Sequence, residues 1–126
     1  MQTNHNYAWI WLLGTLVTTA CQTDRISDLD VVSIDYQALL ELLNNPKEKA
    51  MLVDVRMAPA FESGHISGAI NIPIHKLQEE EEQLAEAKSV IVYSQNTRDL
   101  LSRAAFKTLL RRGYKNVHNF QGGLDL

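Results

Sequence analysis

Ser89-Val90-Ile91-Val92-Tyr93, followed by Ser94-Gln95-Asn96-Thr97-Arg98-Asp99 and then by Leu100 to Arg112, is the stretch from which the fold is read. An apolar run of strand length passes into a polar loop, and the loop passes into a segment with apolar or small residues at helical spacing. In that helix Leu101, Ala104, Ala105, Thr108 and Leu109 are expected to face a sheet, with Arg103, Lys107, Arg111 and Arg112 outward, and Gly113 to end it. A strand that enters a tight loop and a helix N-terminus brings backbone N–H groups together. Such junctions hold anions and reactive nucleophiles in α/β proteins. Ser94 stands in the nucleophile's place.

On the N-terminal side, Val31-Val32 reads as a short first strand, and Ser33 as the cap of a helix carrying Leu39, Leu40, Leu42 and Leu43 that stops at Asn44-Asn45-Pro46. Ala50 to Val55 is an apolar run but for Asp54, as expected of a parallel strand covered on both faces, with Asp54 and Arg56 bracketing its end. Ala58 to Gly64 reads as a short helix with Pro59 in its first turn. Ala69 to Ile72 reads as a strand and Ile74 to Leu84 as a helix whose Glu79-Glu80-Glu81-Glu82 run faces solvent. Asn116 to Phe120 supplies the last strand. Alternating strands and helices predict an α/β domain of three layers, a central parallel sheet flanked by helices.

With 126 residues, 45% of them apolar and 21% charged, the chain suits one domain and an appendage. The net charge of −3 argues against nucleic-acid binding, which leaves a basic footprint. Residues 1–20 hold no Asp, Glu, Lys or Arg, and Tyr7 to Ala20 has the length of a signal-peptide core, shorter than the ~20 residues of a membrane span. The expectation is an export signal over 1–20, a tether over 21–30 and the domain over 31–126. Cys21 follows Leu16-Val17-Thr18-Thr19-Ala20, and as the sole cysteine it has no intramolecular disulfide partner.

Asp54-Val55-Arg56, Gly64-His65-Ile66-Ser67-Gly68-Ala69, the strand before Ser94, and Gln121-Gly122-Gly123-Leu124, in this order and spacing, resemble the rhodanese-like domain family, whose active members carry sulfane sulfur as a cysteine persulfide. The resemblance covers the chain from about Val31 onward. It implies the rhodanese-like fold, with Asp54, Arg56 and His65 as structural elements around the active-site loop. Sulfurtransferases of the family place Cys where this chain has Ser94. Persulfide chemistry needs a thiolate, and a serine hydroxyl titrates too high to replace it without a base. The loop also differs from the pattern Cys-x-x-Gly-x-Arg-Ser. It is similar to the longer Cys-x-Cys-Pro-x-Glu-x-x-Ser, with Asp99 at the acidic position, Ser102 at the serine, and Ser94 and Asn96 in place of both cysteines.

The resemblance thus predicts a domain without sulfurtransferase activity, acting as a module that binds a small anion on the loop Ser94, Gln95, Asn96, Thr97, Arg98, Asp99, or an envelope protein partner. Arg98 reads first as a solvent-facing loop cation and second as a ligand contact. The alternative is an enzyme that uses an external thiol or another activity. A serine hydrolase would need a base near Ser94, for which His65 is the one motif candidate. No cofactor is expected, and His5, His65, His75 and His118 lack metal-ligand spacing. The segment before Cys21 is similar to a bacterial lipobox, which implies a lipid on Cys21 and a periplasmic, membrane-anchored protein; an ordinary signal is the rival. Family members continue past Gly-Gly-Leu into a terminal helix, so a chain stopping at Asp125-Leu126 reads as a shortened domain.

Overall fold

The computed structural model describes residues 25–124. The export signal, Cys21 and the chain end at Asp125-Leu126 lie outside the described residues. A 3-10 turn (Asp28–Asp30) leads into β1 (Ser33–Ile34), α1 (Tyr36–Asn44), β2 (Ala50–Asp54), α2 (Ala58–Ser63) and β3 (Ile70–Asn71). Two 3-10 turns (Ile74–Lys76 and Glu81–Leu84), β4 (Ser89–Tyr93), α3 (Leu101–Arg111) and β5 (Val117–Phe120) complete the order. All strand pairs are parallel, in the order β1-β5-β4-β2-β3. No described helix is long and apolar enough to cross a membrane.

Strand alternation divides the core in two. Val53, Val55, Val90, Val92 and Val117 meet Ala105, Phe106 and Leu109 of α3, with Leu77 and Leu84 of the 3-10 segment. Leu52, Ile91, Tyr93 and Phe120 meet Leu39 of α1 on the other face. These are the three layers expected, and β4, buried at every residue, is their centre. After β3 the chain returns to the opposite side of β2 as β4. The sheet therefore reverses its winding at the β2/β4 pair, and doubly wound sheets open their binding crevice beyond the carboxyl ends of such strands.

Four local expectations change. The first strand is Ser33–Ile34, set by pairing with Asn119 and Phe120, so Ser33 is extended and Asp35 caps α1 by accepting from the Ala38 N–H at 2.9 Å. Ile74 to Leu84 forms two 3-10 turns rather than a helix. The Tyr114 hydroxyl donates to the Glu81 carbonyl, Arg112 pairs with the Glu81 carboxylate, and four successive glutamates repel one another, so a continuous helical ladder is not kept. The sheet-facing stripe of α3 is Ser102, Ala105, Phe106 and Leu109, while Leu101 and Ala104 turn to solvent. Burying Phe106, the largest apolar side chain of the helix, outweighs the smaller gain from Leu101 and Ala104. The strand expected over Ala69 to Ile72 is confined to Ile70–Asn71, because Pro73 and the turn at Gly68 restrict its pairing with β2 to Val53 and Asp54.

Candidate functional site

Asp54, the last residue of β2, is fully buried, and Arg56, two residues on, is 5% exposed. Their side chains form a fork: Nε of Arg56 donates to both carboxylate oxygens at 3.0 and 3.1 Å, and Nη2 to Oδ2 at 2.6 Å. The Arg56 backbone N–H adds a bond to Oδ1 at 3.0 Å. Removing two charges from water is tolerated only with such full pairing, and the Asp54 carboxylate holds the guanidinium above its ordinary value. The other guanidinium N–H groups reach outward. Nη1 donates to Gln95 Oε1 at 2.8 Å and Nη2 to the Gly64 carbonyl at 2.7 Å. One cation therefore joins the end of β2, the Gly64-His65-Ile66 segment and the loop after β4.

Two further bonds brace this hub. Asn71 Nδ2 donates to the Asp54 and Arg56 carbonyls at 3.0 and 2.9 Å, and the Tyr93 hydroxyl accepts from the Ile66 N–H at 3.1 Å. Burial pushes the Tyr93 phenol well above its usual value, so it stays neutral.

Ser94 lies directly after β4, 1% exposed, and its Oγ has no hydrogen-bond partner among the described residues. The loop folds largely on itself. Asn96 Oδ1 accepts from Arg98 N–H at 3.0 Å, Asn96 O from Asp99 N–H at 3.1 Å, and Asp99 Oδ1 from Leu101 N–H at 2.9 Å. Its outer support is Gly123, at φ +59°, where a Cβ would stand 2.6 Å from Gln95 O and 2.8 Å from Asn96 N and Cα. Only glycine fits so close to another backbone in that conformation. Leu124 N–H completes the contact by donating to Gln95 O at 2.8 Å. Beside the loop lies a cleft lined by Asn96, Thr97, Asp99, Ser102 and Asn119, and it does not include Ser94.

The model of the rhodanese-like domain matches residues 35–126, which include all of this site. The chain belongs to the rhodanese-like domain family. It is 40% identical over 75 residues to the protein YqhL of Bacillus subtilis, covering 60% of this chain and 58% of that protein, so the match spans less than two thirds of the relative's length. It is 30% identical over 79 residues to the thiosulfate sulfurtransferase GlpE of Coxiella burnetii, covering 63% of this chain and 72% of that one. Among solved structures, a rhodanese-related protein of Thermoplasma volcanium superimposes with a TM-score of 0.61 at 29% identity, over 74% of this chain and 86% of the other.

The rhodanese-like domain does not assemble a serine-hydrolase site among its described residues. His65 Nδ1 lies 2.9 Å from the Phe61 carbonyl and its ring stacks on Phe61 at 3.7 Å, while Ser94 Oγ receives no bond from any described base. His118 is half-buried in β5, and burial lowers its pKa. No group of His, Cys, Asp and Glu among the described residues could hold a metal ion. Of the expected residues, the structure joins Asp54, Arg56 and Gln95 directly. It leaves Thr97 and Arg98 exposed, and it uses the Asp99 carboxylate to start α3.

Sequence reasoning missed Tyr93 and Asn71 as braces and Gly123 as the support of the loop. Tyr93 reads as one more apolar strand residue, and Asn71 carries no local signal. The Gly122-Gly123 pair is the one visible cue, since adjacent glycines mark a close backbone approach.

Proposed function

We propose that this rhodanese-like domain is a binding module without thiosulfate sulfurtransferase activity of its own, with Ser94 at the position where active relatives carry the persulfide-forming cysteine. A neutral hydroxyl with no base cannot accept sulfane sulfur, whereas a thiolate at the head of a helix can. What supports a binding role is the unpartnered Ser94 Oγ, which is buried and closed off from the cleft beside the loop, so that an anion reaches it only when the loop opens. An unsatisfied buried hydroxyl costs about 1–3 kcal/mol, which an anion accepting its proton in a hydrogen bond would recover.

The ligand is small, because Asn96 and Asp99 already engage the N–H groups of Arg98, Asp99 and Leu101. The Asp99 carboxylate at the start of α3 disfavours a highly charged one. The domain works at the cell envelope, exported by residues 1–20 and held to the membrane by lipid on Cys21.

Thiosulfate-to-cyanide sulfur transfer, measured on wild type beside Ser94→Cys, tests the catalytic part. The wild type is expected at the level of a heat-denatured control and Ser94→Cys above it. Turnover or a protein-bound persulfide in wild type would refute the reading. Titration with thiosulfate, followed by backbone amide shifts, tests the binding part: shifts should concentrate at Ser94 to Leu101, and their absence would overturn anion binding.

A further inference from the structure

One face of the domain remains unexplained by the loop. Along α3, Arg103, Lys107 and Arg111 recur every fourth residue, and with Leu100, Ala104, Thr108 and Asp28 they line an open depression of about 300 Å³. Lys107 pairs with Asp28 at 2.6 Å, and that is the one acidic side chain in the lining. Asp30, the next carboxylate along, is turned back on the N–H and hydroxyl of Ser27 in a capping box. Arg103 and Arg111 therefore leave the depression with an excess of positive charge, on a chain that is negative overall.

One apolar side chain in this lining, Leu100, lacks cover, and Leu29 follows Asp28 in the chain. Leu100 is 68% exposed and Leu29, beside Asp28, is 96% exposed. An exposed leucine beside a row of Lys and Arg favours the boundary between headgroups and acyl chains over a soluble acidic partner. The path of the chain points the same way. The Asp28–Lys107 pair fastens the incoming segment onto this face, and Asp28 is seven residues after Cys21. Seven residues span at most about 25 Å when fully extended, so a membrane holding Cys21 lies within that distance of the Asp28 end of this face.

We propose that the α3 face formed by Arg103, Lys107, Arg111 and Leu100 rests on an anionic phospholipid surface. The inference rests on the membrane-anchored reading above and adds which side of the domain meets the bilayer. Each Lys or Arg near an anionic bilayer contributes roughly five-fold in affinity, so removing two arginines costs about ten- to thirty-fold.

The test is flotation of the full chain with vesicles of phosphatidylcholine alone or mixed with phosphatidylglycerol, at about 0.1 M salt. Wild type should prefer the anionic vesicles. Arg103→Gln/Arg111→Gln should lose that preference about ten-fold or more while binding neutral vesicles as wild type does, and Arg103→Lys/Arg111→Lys should restore it. An equal preference in wild type and the Gln variant, or no rescue by lysine, overturns the face. Failure of wild type to float with neutral vesicles overturns the anchor instead, so the two failures are distinct.

Discussion

Gly123→Ala adds one carbon to the domain and places it against backbone. The new Cβ would meet Gln95 O at 2.6 Å and Asn96 N and Cα at 2.8 Å, and none of these can swing aside as a side-chain tip could. Ordinary contact requires the loop to retreat by about 0.8 Å, which stretches the 2.8 Å bond from Leu124 N–H to Gln95 O and the 2.8 Å bond from Arg56 to Gln95 Oε1. Alanine at φ +59° costs about 1 kcal/mol, and forcing packed atoms apart costs about 1–3 more. A loss of roughly 3 kcal/mol in a domain of this size lowers Tm by about 12–24 °C. Thermal unfolding followed by circular dichroism measures it, with Gly64→Ala as control, since a Cβ there meets nothing within 4 Å. A Gly123→Ala protein melting within about 3 °C of wild type, with the control equally unaffected, would refute the close-approach argument.

Arg56→Met leaves the buried Asp54 carboxylate without its partner and is expected to cost about 3–5 kcal/mol, read as a lower midpoint in urea unfolding. Arg56→Lys keeps the charge but loses the fork, so it should recover only part of that loss. Ser94→Cys is expected to gain thiosulfate-to-cyanide transfer, and adding Gly123→Ala to it should abolish the gain by moving the loop. Stability should fall as pH drops below 6.5: His118 is held below its ordinary value in the fold, the unfolded chain takes up that proton first, and the stability present above 6.5 is lost toward the folded pKa. His118→Asn should flatten this dependence in unfolding measured between pH 7 and 5.

The parallel sheet was legible because Val90 to Tyr93 and Met51 to Val53 are apolar without interruption, as strands covered on both faces require. The helix after Ser94 was legible in extent, yet its buried face was not. Leu101 and Phe106 lie on different sides of α3, and which of them faces the sheet depends on the height at which the loop delivers the helix. The 3-10 segment was illegible for a similar reason, since its carbonyl at Glu81 is taken by Tyr114, far along the chain. The site was read at the level of motifs: Asp54, Arg56 and Ser94 stood out. The bond between Arg56 and Gln95 joins residues 39 apart and has no sequence period to announce it.

That bond has a dynamic consequence. The segment at Gly64, the end of β2 and the loop after β4 are joined through one guanidinium, so opening any of them breaks a bond to the others. Their amides are expected to exchange as one cooperative unit. A ligand that tightens Ser94 to Asp99 should therefore slow exchange at Ile66, on a segment it never touches.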